Sequence, residues 1–145
     1  MLFHGYGDLS LNELLPVVLL TYAETDMMLV CPTLPDRAAE TLLYWLRREL
    51  PRMDGKSKFH VVKSLTLIAN LSEKKSPLAS TWLANNPFQG RLTLHNKQQN
   101  DTALILPDLA LYGAFNLTHS GHFTAIATKN AGMIDSLRST YLSLC

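Results

Sequence analysis

The sequence predicts a single α/β domain, spanning residues 1–145, in which a mixed β-sheet is flanked by helices on both faces. Segments with strand-like and helix-like patterns alternate through the first part of the chain, and a cluster of strand-like segments followed by one helix completes it. A chain of 145 residues, with 47% hydrophobic and 17% charged residues, has the size and composition of one domain with a substantial core.

Two helices and one strand are predicted in the first third of the chain. Ser10 and Glu13 form a capping box, which is typical of a helix N-terminus. The apolar run Met27–Cys31 is typical of a buried strand. A second helix is expected to begin near Thr33 and to carry an apolar stripe through Leu50, where the following proline ends it.

The remaining elements follow from alternation and helical periodicity. Phe59–Ile68 is predicted to be a strand, although its second half also fits a helix, and residues 52–58 before it form a polar, basic loop. The other predicted elements are a helix at 77–84, strands at 91–95, 102–106, 109–115 and 122–128, and a closing helix with the apolar stripe Met133, Ile134, Leu137, Tyr141 and Leu144.

The net charge is only +1, but the charges are distributed unevenly. Five acidic residues precede Arg37, the first basic residue, and from Arg37 onward basic residues exceed acidic ones by six. They are densest between Arg47 and Lys75. This pattern is expected of a surface that contacts a polyanion such as nucleic acid, although a solvated surface of long side chains produces it too.

Cysteine usage and hydropathy favour a cytoplasmic protein. Cys31 and Cys145 are too few for a disulfide framework, so a reducing compartment is expected. The apolar run Leu14–Leu20 contains Pro16 and has no basic residue ahead of it, unlike a signal peptide. Because no apolar segment approaches the roughly 20 residues of a membrane span, no membrane partner is expected.

Two segments carry the residues with the clearest chemical meaning. In LHNKQQNDT, residues 94–102, alternation along a strand is expected to point His95 and Lys97 toward the same face. In LYGAFNLTHSG, residues 111–121, Gly113 allows close approach of the backbone, and the Asn116 amide can donate to a phosphate oxygen. Together they resemble the signature of the phospholipase D-like superfamily, which is His-x-Lys, then Gly-Ser-x-Asn, often continued as Leu-Thr-x-x-Gly.

The resemblance implies one phospholipase D-like half-domain whose active site is completed by homodimerisation. The activity implied is that of a nuclease, a phosphodiesterase that needs no metal or other cofactor. In that mechanism His95 forms a phosphohistidine, the partner subunit's His95 acts as the acid, and Lys97 and Asn116 hold the phosphate. An imidazole suits both roles because its pKa lies near neutrality. The substrate-binding residues expected in addition are Gly113, Ala114, Thr118, Arg47, Arg48 and Lys58.

The sequence departs from the family pattern in ways that favour a second hypothesis. Ala114 replaces the expected serine, Leu106 stands at the position of the usual aspartate, and Gln98–Asp101 resembles an insertion after Lys97. The alternative is therefore a catalytically degenerate member that binds nucleic acid or serves as an assembly module. A third interpretation is that the resemblance is coincidental and the chain is an α/β protein of another role.

Other candidate residues are interpreted as structural. His119 and His122 flank a turn with no thiol or carboxylate nearby, so surface positions are favoured over a metal site. Trp45 and Trp82 are expected in packing or dimer contacts rather than in stacking on bases. Cys31, within an apolar run, is expected to be a small core residue rather than a nucleophile.

Overall fold

The computed structural model describes residues 2–8, 15–16, 19, 24–72, 77–114, 120–143 and 145. The Ser10–Glu13 capping box therefore lies outside the described residues. The elements are β1 (Leu2–Asp8), β2 (Thr25–Thr33), α1 (Asp36–Arg47), β3 (Glu49–Pro51), β4 (Lys58–His60), β5 (Val62–Asn70), α2 (Pro77–Ala84), β6 (Leu92–Asn96), β7 (Thr102–Ile105), β8 (Ala110–Ala114), β9 (Ser120–Thr128) and α3 (Ala131–Ser143). None of the helices in this part of the chain is long and apolar enough to cross a membrane.

Seven strands form one mixed sheet in the order β1-β9-β8-β7-β2-β5-β6. Strands β2, β5 and β6 are parallel, since α1 and α2 return the chain to the starting edge of the sheet between them. The other neighbours are antiparallel. Strands β7 and β8 join through a tight turn in which the Leu106 N–H donates to the Leu109 carbonyl at 2.7 Å. The predicted α/β class with a mixed sheet is confirmed.

Both faces of the sheet are covered by helices, as the sequence predicts. On one face Leu29 and Leu67 pack in a core that includes Trp45 of α1 and Trp82 of α2. On the other face Met28 and Val30 of β2 and Ile68 of β5 pack with residues of α3, which include Ile134 and Tyr141. Because Trp45 and Trp82 are both buried, their predicted role in packing is confirmed.

The structure differs from the sequence prediction where α1 ends. The helix stops at Arg47, and Leu50 lies in β3 rather than in a helical stripe, so the predicted extension through Leu50 is wrong. A residue directly before a proline is disfavoured in the helical conformation, so Pro51 favours an extended backbone at Leu50. The extended segment pairs with β4 in a two-stranded hairpin. The predicted strand Phe59–Ile68 is divided between β4 and β5, and its second half is strand rather than helix.

Candidate functional site

His95 lies on β6, the strand at one edge of the sheet. It pairs with Ile68 of β5, and its side chain is half-buried. Leu92 and Leu94 point to the face covered by α1 and α2, so alternation puts the imidazole on the face that α3 covers. Lys97 follows directly after β6, with an exposed side chain. The predicted pair therefore lies at the carboxyl end of an edge strand.

Residues 97–101 carry the chain from β6 to β7, across the ends of β5 and β2. Three strand spacings separate β6 from β7, a distance of about 14 Å. The start of this segment is held to β5, since the Asn96 side-chain oxygen accepts from the Leu71 N–H at 2.9 Å and the Lys97 N–H donates to the Ala69 carbonyl at 2.9 Å. The residues that resemble an insertion supply the length needed for this crossing.

Gly113 and Ala114 end β8, where Gly113 pairs with Thr102, the first residue of β7. The φ angle of Gly113 is +142°, a conformation that favours glycine, and the residue is exposed. Asn116 and Thr118 lie outside the described residues, so the convergence of His95, Lys97 and Asn116 stays a prediction.

His95 and Gly113 each lie near the carboxyl end of a strand, at the same end of the sheet, but their strands are four positions apart. With neighbouring strands about 4.8 Å apart, this separation is about 19 Å. Groups that hold one phosphate must all lie within hydrogen-bonding distance of it. His95 and Lys97 therefore lie at the end of one strand, four strands away from Gly113 of the same chain.

A cavity of about 340 Å³ lies beside Gly113. Its lining residues are Asn100, Asp101, Thr102, Tyr112, Gly113 and Tyr141. The Tyr141 hydroxyl donates to the Asp101 carboxylate at 3.5 Å, and burial, followed by the charge of Asp101, raises the pKa of Tyr141. Because these described lining residues include a carboxylate and no basic side chain, the cavity does not favour a phosphate.

The basic residues predicted to bind substrate lie elsewhere. Arg47 ends α1, Arg48 directly follows it, and Lys58 begins β4 in the hairpin that precedes β5. The Arg48 carbonyl accepts from the N–H of Val61, the residue before β5, at 3.1 Å, which holds this region next to the start of β5. His95 is level with the seventh residue of β5, about 20 Å further along the strand. Arg47, Arg48 and Lys58 are thus remote from His95.

The six arginines divide into two sets by their contacts. Arg52 forms an ion pair with Glu24 at 2.6 Å, and the guanidinium groups of Arg91 and Arg138 donate to backbone carbonyls. The second set has exposed side chains with no hydrogen bond or ion pair to any described residue, and it comprises Arg37, Arg47 and Arg48. All three lie on or directly after α1.

Sequence reasoning did not single out Arg37 or the exposed Tyr44 beside this second set. The signal was present, because both residues fall opposite the apolar stripe of the predicted helix. That signal is weak, because an exposed polar helix face is usually only a solvated surface.

The residues considered for metal or thiol chemistry have structural surroundings. Among the described residues, no group of three or more His, Cys, Asp and Glu side chains is placed to hold a metal ion. His122 lies in β9, and His119 is outside the described residues. Cys31 is fully buried, and burial raises the pKa of its thiol to about 12, which confirms its predicted place in the core.

Comparison with known proteins reveals likeness at the level of the fold. No protein-family model matches the chain, and no curated protein matches it significantly. One similar structure is TrmBL2, an archaeal chromatin protein described with a novel mode of DNA binding, at 12% identity and a TM-score of 0.55. Another is NucT from Helicobacter pylori, at 13% identity and a TM-score of 0.53.

The two structures differ in how much of their length corresponds to this domain. Each match covers 99% of this chain, but it covers 51% of the TrmBL2 chain and 92% of the NucT chain. The chain thus spans about half the length of the TrmBL2 chain. At these identities the likeness establishes the fold alone.

Proposed function

We propose that this domain binds nucleic acid through a phospholipase D-like fold without hydrolysing it. The observation that carries the proposal is the position of His95 on the edge strand, about 19 Å from Gly113 across four strand spacings. Next to Gly113, the chain presents Asn100, Asp101 and Thr102 instead of an imidazole and an ammonium group.

The chemistry of phosphodiester cleavage supports this choice. Cleavage requires a nucleophile, a proton donor for the leaving oxygen, and positive charge on the non-bridging oxygens, all around one phosphorus atom. The Asp101 carboxylate beside Gly113 repels a phosphate instead of stabilising it. Leu106, at the position where the family has an aspartate, is buried in the core with 1% of its surface exposed. The substitutions at Leu106 and Ala114 agree with a binding domain that does not hydrolyse.

Nucleic acid is the favoured partner for two reasons. The fold is similar to that of a DNA-binding chromatin protein. In addition, the side chains of Arg37, Arg47 and Arg48, which lie on or directly after α1, have no protein partner among the described residues. On a phosphate backbone they can displace condensed counterions.

Hydrolysis at a homodimer interface is the second candidate. The edge position of β6 favours it, because a second copy can approach an edge strand and bring its own His95 and Lys97. This candidate requires that two His95 side chains share one phosphate.

Equilibrium binding of fluorescently labelled DNA, measured by anisotropy from about 50 to about 200 mM salt, tests the proposal. We expect the logarithm of the association constant to fall linearly with the logarithm of the salt concentration, by about 0.7 to 0.9 for each phosphate neutralised. His95→Ala is expected to bind like the wild type. Absence of binding at low salt, or loss of binding in His95→Ala, contradicts the proposal.

A further inference from the structure

Tyr44 is a large aromatic residue that α1 leaves exposed. Its side chain is 57% exposed, whereas the adjacent Trp45 is buried. The two rings meet edge to face, with centroids 5.3 Å apart and an interplanar angle of 89°. Trp45 therefore supports one side of the Tyr44 ring, and the exposed surface of the ring is available to a ligand.

The unpartnered arginines flank this ring along the helix. Successive residues of an α-helix turn by about 100°, so Arg37 and Tyr44 fall within about 20° of one another around the axis. Arg48, the extended residue directly after α1, lines a groove together with Tyr44. Arg47 lies one turn after Tyr44. From Arg37 to Arg47 the helix rises about 15 Å.

Two grooves share Tyr44 as a wall. The first, of about 440 Å³, is lined by Leu43, Arg47 and Arg48, together with Glu40 and Glu49. The second, of about 550 Å³, is lined in addition to Tyr44 by Pro16, Arg37, Glu40, Thr41 and Trp45. Each groove thus combines apolar surface from side chains of α1 with at least one arginine.

We infer that the surface formed by Arg37, Tyr44 and Arg47 of α1 and by Arg48 directly after it, called here the α1 surface, binds single-stranded nucleic acid. The inference rests on the proposed function and locates it. Tyr44 stacks on a base, and the arginines on either side contact phosphates through charge-assisted hydrogen bonds. At about 3.4 Å for each stacked nucleotide, the length of the surface corresponds to about four nucleotides.

The same residues discriminate between kinds of polyanion. An exposed ring can stack only on a base whose face is free, and duplex bases already stack on their neighbours. Glu40 and Glu49 interrupt the positive charge, so attraction of charge alone is weak here. Stacking must therefore contribute, which favours a single strand over a duplex and over an acidic protein.

The stacking contribution is tested on the full chain with a labelled oligothymidine of about 12 nucleotides, within the usual range of single-strand sites. Tyr44→Leu removes the ring from an exposed position, and we expect it to weaken binding about tenfold. Tyr44→Phe keeps the ring and should bind within about twofold of the wild type. Leu83→Ala is the control, because Leu83 is a 40% exposed residue on α2, outside the α1 surface.

The arginine contacts are tested by the salt dependence of the same binding. Arg37→Gln and Arg48→Gln should each lower the slope by about 0.7, the value for one phosphate of a single strand. Lys129→Gln removes an exposed positive charge just before α3, and we expect it to leave the slope unchanged. If Arg37→Gln and Arg48→Gln keep the slope of the wild type, as Lys129→Gln is expected to do, the arginines do not contact phosphates.

Three results separate failure of this inference from failure of the proposed function. Equal affinity for a duplex of the same length, with no effect of Tyr44→Leu, overturns the α1 surface but leaves nucleic-acid binding intact. Competition by polyglutamate as effective as by unlabelled oligothymidine also overturns it, and indicates an acidic protein partner. If neither single strand nor duplex binds, the proposed function itself fails.

Discussion

At the scale of single residues, the contacts that a side chain already makes decide what it can bind. Arg52 and Arg91 are equally cationic in the sequence, yet one is paired with Glu24 and the other donates to backbone carbonyls. Arg48 has no such partner among the described residues. A count of positive charges cannot separate these cases, because the partners come from distant parts of the chain.

The two cysteines are expected to react differently. Burial raises the pKa of Cys31 to about 12, whereas Cys145 is exposed. Only the thiolate is alkylated, so near pH 8.5 iodoacetamide should add once to the native protein, at Cys145, and twice in guanidinium, as mass spectrometry will measure. The folded Cys145→Ser variant should not be labelled by iodoacetamide. Native labelling of Cys31 at the rate of Cys145 contradicts its burial.

The same shift sets the direction of a pH effect on stability. The folded state holds Cys31 as the neutral thiol, while the unfolded chain ionises it at a lower pH, near the usual pKa of about 8.5. The stability that this difference contributes is complete below that pH. It is lost as the pH rises from there toward about 12.

At the scale of elements, local patterns predicted most strands and helices but not the order of the strands. The apolar run of β2 and the alternation in β6 follow from side-chain period alone. The pairing of β2 with β7 is long-range, and it puts two strands between the His95 strand and the next strand along the chain. Spacing in sequence therefore could not show that His95 lies four strands from Gly113.

Two elements were not predicted because tertiary pairing forms them. Strand β1, with the sequence LFHGYGD, contains two glycines and has no continuous apolar run, and it is a strand because it pairs along its length with β9. Strand β3 continues the apolar periodicity of α1, but Pro51 and pairing with β4 give its backbone an extended conformation.

Arg91 is expected to stabilise the junction of three elements. Its guanidinium donates to the Leu46 and Val62 carbonyls at 2.8 and 2.7 Å, which connects the end of α1 and the start of β5 to the residue before β6. Arg91→Gln leaves carbonyls without these donors. We expect the free energy of unfolding to fall by about 2 to 3 kcal/mol, measured by urea denaturation.

A matched charge change controls this experiment. Lys129→Gln removes an exposed cation and should change the free energy of unfolding by less than about 0.5 kcal/mol. If Arg91→Gln is as stable as Lys129→Gln, the guanidinium does not hold these elements together.

At the scale of the whole molecule, the α1 surface and His95 lie on opposite sides of the sheet. The α1 surface is on the outside of a helix that covers one face, and His95 faces the side covered by α3. A substitution on the α1 surface is thus expected to leave the surroundings of His95 unchanged, and a substitution of His95 is expected to leave the α1 surface unchanged. Homodimerisation, which the resemblance to the phospholipase D-like superfamily implies, stays a prediction that sedimentation equilibrium can test.

The most direct measurement is the fate of a bound strand. End-labelled oligothymidine is incubated with enough protein to saturate binding, with and without a chelator, and then separated on a denaturing gel. A domain that binds without hydrolysis leaves the strand intact in both conditions. Fragments that form in the presence of chelator and disappear with His95→Ala would contradict this, and would support metal-independent hydrolysis that depends on His95.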